Sequence, residues 1–232
     1  MLQTAQAWTP EDLGARLAQI QEHRKLRATS APTPDEGDLR KVAGGNIVTG
    51  LLDSSNGNRA YGVAIVPLPI GRFWAALNDE TSHPGYTAVA YSELIEGRPC
   101  GSGRKVLQYL PVPWMSDRWW IGVLTKNSRV QTASGGAVRE LSWSSLTDPN
   151  LIKTESGKKM INQGIPLGFT RGAWFLVALD ERSTYVEYYL HSDPGGRIPA
   201  SMANMFATRG VREAIQAITK FAREARPSCP IE

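Results

Sequence analysis

The residues able to do chemistry are few and scattered. His191 and Asp193 stand two positions apart at the end of an alternating run. A histidine beside a carboxylate is a general-base arrangement, and Glu187 in the same run is a second acidic candidate. Both also fit a plainer role, a histidine before a turn and a glutamate on a solvated strand face. Arg118 heads a segment that continues Trp119-Trp120. A guanidinium there can orient a carboxylate or phosphate through its fork of donors, or pair at the surface with neighbouring Asp117. A metal needs clustered ligands. His23, His83 and His191 are the only histidines, and no two are within reach along one element. No metal or other cofactor is therefore expected. Nucleophile-elbow, zinc-protease and phosphate-loop motifs are absent, so no catalytic residue is assigned.

The apolar residues are more informative. Trp114, Trp119, Trp120, Trp143 and Trp174 all fall in the middle of the chain, and Met202, Met205 and Phe206 gather later. Large aromatics on a sheet serve as core or as the wall of a cavity. Methionine adapts its shape and suits a surface that receives variable apolar ligands.

One stretch, residues 184–222, organises the elements that would position these groups. Thr184, Val186, Tyr188 and Leu190 alternate with Tyr185, Glu187, Tyr189 and His191, a strand with two different faces. Asp193-Pro194-Gly195-Gly196 ends it, because proline cannot donate to a ladder and glycine opens other backbone angles. Ile198-Pro199 follows. Met202, Met205, Phe206, Val211, Ile215, Ile218 and Ala222 then recur at mostly helical spacing. The strand hands over to an amphipathic helix that must lie on something apolar.

The pattern Thr184-x-Val186-x-Tyr188, then Asp193-Pro194-Gly195-Gly196-x-Ile198-Pro199 and Asn204, resembles the C-terminal signature of the START (StAR-related lipid-transfer) family. Pro67-x-Pro69, a short helix with Trp74, and Asn78-Asp79 resemble that family's early signature. The Asp117-Arg118 pair resembles its Arg-Asp pair in reversed order. The resemblance covers roughly residues 40–225. It implies an α+β helix-grip fold, a curved antiparallel sheet gripping a long C-terminal helix around an apolar cavity. It further implies non-catalytic binding of a lipid or other hydrophobic molecule, with transfer of that molecule as an extension of the same role. Related helix-grip proteins include polyketide cyclases and aromatases, so an enzyme is the alternative, and an interaction module with a filled cavity is a third reading. Sterol-binding members carry a buried acid and base on central strands. The segment from Trp119 to Leu124 supplies no such base.

The remaining chain fits that architecture. Thr9-Pro10-Glu11-Asp12 starts a helix, with a hydroxyl cap, proline and first-turn acids. Leu13, Leu17 and Ile20 form its apolar stripe. Residues 28–37 read as a polar loop. Strands are expected at 46–52 and 61–66 around an Asn-Gly turn at 54–58. A helix follows at 70–77, with Phe73, Trp74 and Leu77 inward. Further strands are expected at 86–95, 103–110, 118–126, 137–144, 171–179 and 184–190. Residues 146–166 form a long loop.

Domain boundaries are placed at 1–39 for a helix and linker, 40–226 for the binding domain and 227–232 for a tail. The expected ligand contacts are Trp74, Arg118, Trp120, Trp143, Trp174, Val186, Tyr188, Met202, Met205 and Phe206. The turn at 193–196 and Gly210 nominate residues 198–206 as a gate. The 232 residues are 41% hydrophobic and 21% charged, an ordinary globular composition. The net charge of +4 is mild and scattered, so no nucleic-acid partner is expected. Transient contact with an anionic membrane surface is the functional reading of that charge. No apolar run spans a bilayer, and the N-terminus lacks signal-peptide character. Cys100 and Cys229 match no redox or metal spacing and read as free thiols, which points to the cytoplasm.

Overall fold

A computed structural model describes residues 8–29, 33–52, 58–195 and 200–231; within 200–206 only the side chain of Asn204 is described. Three short helices come first: α1 (Pro10–Gln19), α2 (Gln21–Arg24) and α3 (Glu36–Ala43). The hairpin β1 (Val48–Leu52) and β2 (Asn58–Val66) precedes α4 (Ile70–Leu77). Then follow β3 (Tyr91–Glu96), β4 (Arg104–Leu110), β5 (Asp117–Lys126), α5 (Ser128–Ala133) and β6 (Val138–Leu146). The chain closes with α6 (Glu155–Ile161), β7 (Gly164–Pro166), β8 (Phe169–Ala178), β9 (Thr184–Asp193) and the long α7 (Ala200–Glu224).

The strands form one sheet in the order β1-β2-β9-β8-β6-β5-β4-β3, antiparallel throughout, with β7 beside β5 in parallel. The first hairpin pairs with the last strand, from Asn58↔Ser192 to Val66↔Thr184. This is the expected α+β helix-grip arrangement. The helix α7 lies on the inner face over β1, β2 and β9. It lies close because β2 offers small residues there. A Cβ added at Gly62 would fall 2.4 Å from Val211 Cγ1, and Ala60 and Ala64 flank it on the same face. Val211, Ile215, Ile218 and Phe221 are buried, each contributing roughly 1.5–3 kcal/mol by leaving water.

The outer face is covered in two places. Leu13, Leu17, Ile20 and Val42 from α1–α3 pack on Val63, Phe175, Val177 and Tyr185. Met160 and Ile161 of α6 pack on a second group that includes Leu107, Trp119 and Ile121. The long 146–166 loop therefore holds a helix and a strand, and lies on the outer face. Its helix is capped by Thr154, whose hydroxyl accepts from Gly157 N.

Several expectations need correction. Residues 36–43 are helical; Asp35 caps them by accepting from Asp38 N at 2.7 Å. The strand expected at 86–95 begins at Tyr91, because a turn bonded to His83 O occupies residues 86–87. The Asn-Gly turn falls at residues outside the described ones, apart from the backbone of Asn58. The cysteines are not free thiols: Cys100 and Cys229 form a disulfide with Cα atoms 5.6 Å apart. The tail after α7 folds back on the end of α4, where Ser228 N donates to Asp79 Oδ2 at 2.7 Å, and this brings the sulfurs together. Disulfides persist in oxidising surroundings, so the cytoplasmic expectation loses the residue argument on which it rested. No helix among the described residues is long and apolar enough to cross a membrane.

Candidate ligand-binding site

Strand alternation sorts the expected contacts by face. Val186, Tyr188 and Leu190 of β9, Trp174 and Leu176 of β8, Leu141 and Trp143 of β6, and Leu124 of β5 share the inner face with α7. The register aligns Leu141, Trp174 and Tyr188 across three strands. The rings of Trp174 and Tyr188 consequently stack, with centroids 4.0 Å apart and planes 16° from parallel. Trp143 stands opposite Gly172. A Cβ on Gly172 would lie 2.5 Å from the Trp143 ring, so the missing side chain lets the indole lean over β8. It reaches Tyr188 at 5.6 Å, and its Nε1 donates to Thr170 Oγ1 at 3.3 Å. Phe73 of α4 closes the far side, 6.0 Å from Trp174.

The centre of this aromatic shelf is polar at one atom. The Tyr188 hydroxyl makes no hydrogen bond to any described residue. Its pKa is pushed well above the usual tyrosine value by desolvation alone, yet the side chain is only half-buried. Trp143 and Leu190 are half-buried as well. The side chains of Met202, Met205 and Phe206, expected to face this shelf, lie outside the described residues.

Two expected contacts stand apart from the shelf. Trp74 is in the core, 2% exposed, with Lys126 Nζ 5.4 Å from its ring and an indole N–H that has no described acceptor. Arg118 and half-buried Trp120 follow Leu124 along the inner side of β5, at the end where the chain enters α7. Arg118 does not pair with Asp117. Its Nε donates to Pro194 O at 2.6 Å, its Nη2 to Gly195 O at 3.2 Å, and its Nη1 to Ser116 O. Sequence inspection missed Ser92, a buried inner-face hydroxyl with no described partner; its only signal was parity with Leu94.

The general-base candidates are on the wrong face. The Nδ1 of His191 accepts from Arg171 Nε at 3.1 Å, and Asp193 Oδ1 accepts from Gly195 N at 2.8 Å. Glu187 is fully buried on the outer face, not solvated. It pairs with Arg24 and, at 3.1 Å, with Arg27, because α2 and the segment after it cover this strand. His83 is a core residue; its Nε2 is 3.0 Å from Ala76 O, and burial holds its pKa below the ordinary value. No group of three metal-ligating side chains exists among the described residues.

With this geometry in hand, comparison with solved structures identifies the class. The fold matches a STAR-related lipid transfer protein from Xanthomonas axonopodis with a TM-score of 0.61, 20% identity, 84% of this chain and 98% of that one. It matches human STARD10 with a TM-score of 0.61, 13% identity, 86% of this chain and 84% of that one. The aromatase/cyclase Zhui from Streptomyces sp. R1128 aligns at a TM-score of 0.50 and 14% identity, over 71% of this chain and 93% of that one. No family model and no curated protein matches the chain. The chain thus has a START-like fold.

Proposed function

We propose that the protein binds a lipid or another hydrophobic molecule, without covalent chemistry, between the inner face of the sheet and α7. The supporting observation is Tyr188, a half-buried inner-face side chain that stacks on Trp174 and whose hydroxyl has no described partner. The stacked and half-buried aromatics around it supply apolar wall. Burial at ~25 cal/mol per Å² then drives binding, and a few polar groups orient the ligand. The solved lipid transfer proteins of this fold support the same reading.

The test is titration with fluorescent fatty-acid, phospholipid and sterol probes. Saturable one-to-one binding that weakens at least tenfold in Tyr188→Ala supports the proposal. No saturable binding by any probe would sink it. The enzyme reading draws on the likeness to the Streptomyces aromatase/cyclase, but its candidate bases, His191 and Glu187, both lie on the opposite face from the shelf.

A further inference from the structure

Arg118 is a buried cation. It is 4% exposed, and a guanidinium cannot shed its proton. Its described acceptors are the main-chain oxygens of Ser116, Pro194 and Gly195. No carboxylate forms a salt bridge with it among the described residues. The nearest acid in sequence, Asp117, is held elsewhere: Oδ2 accepts from the Tyr109 hydroxyl and Oδ1 from Val112 N at 3.0 Å. Asp117 feels the Arg118 charge, since that charge helps lower its pKa, but it gives Arg118 no hydrogen bond. Arg104 is paired with Glu80, and Arg24 and Arg27 with Glu187, while buried Arg139 donates to Gly136 O and lies over the Trp74 ring. Carbonyl dipoles compensate a buried charge only in part.

The location adds a second argument. Arg118 ties the loop before β5 to the turn that leads into α7. Gly195, with φ +67, also packs against the 166–168 segment, so the turn is held on two sides. Gly210 within α7 faces open space, where a Cβ would meet nothing within 4 Å, so its helix-weakening effect serves no packing need. Arg118 lies about 20 Å along β5 from Leu124, by the strand rise per residue. Leu124 is the residue opposite Trp143, and that span is of the order of a long acyl chain.

From these features we infer that Arg118 receives the anionic head, carboxylate or phosphate, of an amphiphile whose tail lies on the aromatic shelf. The head takes the guanidinium from the Pro194 and Gly195 carbonyls and so loosens the turn before α7. This inference rests on the binding reading above and names its ligand class.

The experiment compares cis-parinaric acid with its methyl ester, which share one tail and differ in charge. A fluorescent phosphatidic acid and the matching diacylglycerol form the phosphate arm. Wild type should prefer at least one anionic member over its neutral partner by tenfold or more, and the arm that shows the preference names the head. Arg118→Met should bring that affinity ratio to about one, and Arg118→Lys should leave an intermediate ratio. Amide exchange across 200–206 should quicken with the anionic probe and not with the neutral one. Equal affinities within both arms of wild type would overturn the inference. So would an Arg118→Met variant that weakens both partners alike, the mark of a clamp and nothing more. Should Arg118→Met not fold, the wild-type ratio and Arg118→Lys carry the test. Binding by no probe at all would overturn the underlying binding reading instead.

Discussion

Two buried arginine sites occupy opposite faces of one sheet, and they are built differently. On the outer face, Glu140, Phe175 and Glu187 form a row across β6, β8 and β9. The Arg27 guanidinium lies 4.4 Å over the Phe175 ring and that of Arg24 5.2 Å. Both arginines pair with Glu187, and Tyr189 donates to it at 3.0 Å. Glu140 accepts from Ala28 N, from Thr29 and from Asn127 Nδ2. The outer arginines are the less completely hydrogen-bonded, since Arg24 Nε and Arg27 Nε and Nη2 have no described acceptor. What they possess, and Arg118 lacks, is an acid. A charge balanced inside the chain acts in folding, strapping residues 24–29 to the sheet. A charge hydrogen-bonded only to main-chain dipoles keeps an attraction that folding has not used.

The largest effect expected from this contrast is at Glu187. Glu187→Ala leaves two buried guanidiniums without their acid, which costs about 3–5 kcal/mol. Urea unfolding followed by tryptophan fluorescence measures it. A loss below about 1 kcal/mol would mean that both arginines escape to water, and the contrast between the faces would collapse.

Arg118→Met should cost less, roughly 1–3 kcal/mol, because it removes hydrogen bonds and strands no opposite charge. Hydrogen exchange should show the loss concentrated at residues 194–206, with 211–222 protected as before. Uniform loss across α7 would place Arg118 in the global core.

The smallest effect concerns the acid diverted from Arg118. Burial, then the hydrogen bond to Asp117, pushes the Tyr109 pKa up to about 12. The neutral phenol is favoured by the fold, so its contribution is complete below pH 10 and fades as pH rises towards about 12. The hydrogen bond from Tyr109, and next that from Val112 N, lowers the Asp117 pKa. That contribution is complete above the ordinary value of 3.8 and is lost as pH falls through the lowered one. Tyr109→Phe should flatten both limbs of the stability–pH curve. It should also free Asp117 to turn towards Arg118 and so reduce the acid-over-ester preference a fewfold. An unchanged preference would show that Asp117 never competes for the guanidinium.

How much of this was legible in the sequence follows from the range of each signal. The parity of β9 was, because alternation is local; Val186, Tyr188 and Leu190 do face α7. The Glu187 environment was not. Periodicity separates two faces but does not say what covers each, and the cover comes from Arg24 and Arg27 far upstream. The same limit hid the disulfide. Helix α3 was masked by its charge and by Gly37, although Asp35 was a cap in plain sight. Arg118 was visible as a candidate, but its main-chain partners on Pro194 and Gly195 depend on a turn more than 70 residues further along the chain. Gly62 and Gly172 look like strand weaknesses until Val211 and Trp143 occupy the space they leave.

The disulfide makes a covalent ring of the chain between Cys100 and Cys229, a separation of 129 residues. That ring contains β4 through β9 and all of α7, and hence the shelf, Arg118 and the turn ahead of the helix. A protease that cuts once anywhere inside it releases no fragment. The nicked molecule should migrate as one species in denaturing gels run without reductant and split in two when reductant is added. A cut in the connection between β2 and α4 lies outside the ring and should separate the first hairpin in either gel. Proteolysis can therefore probe the loops around the site without the protein falling apart.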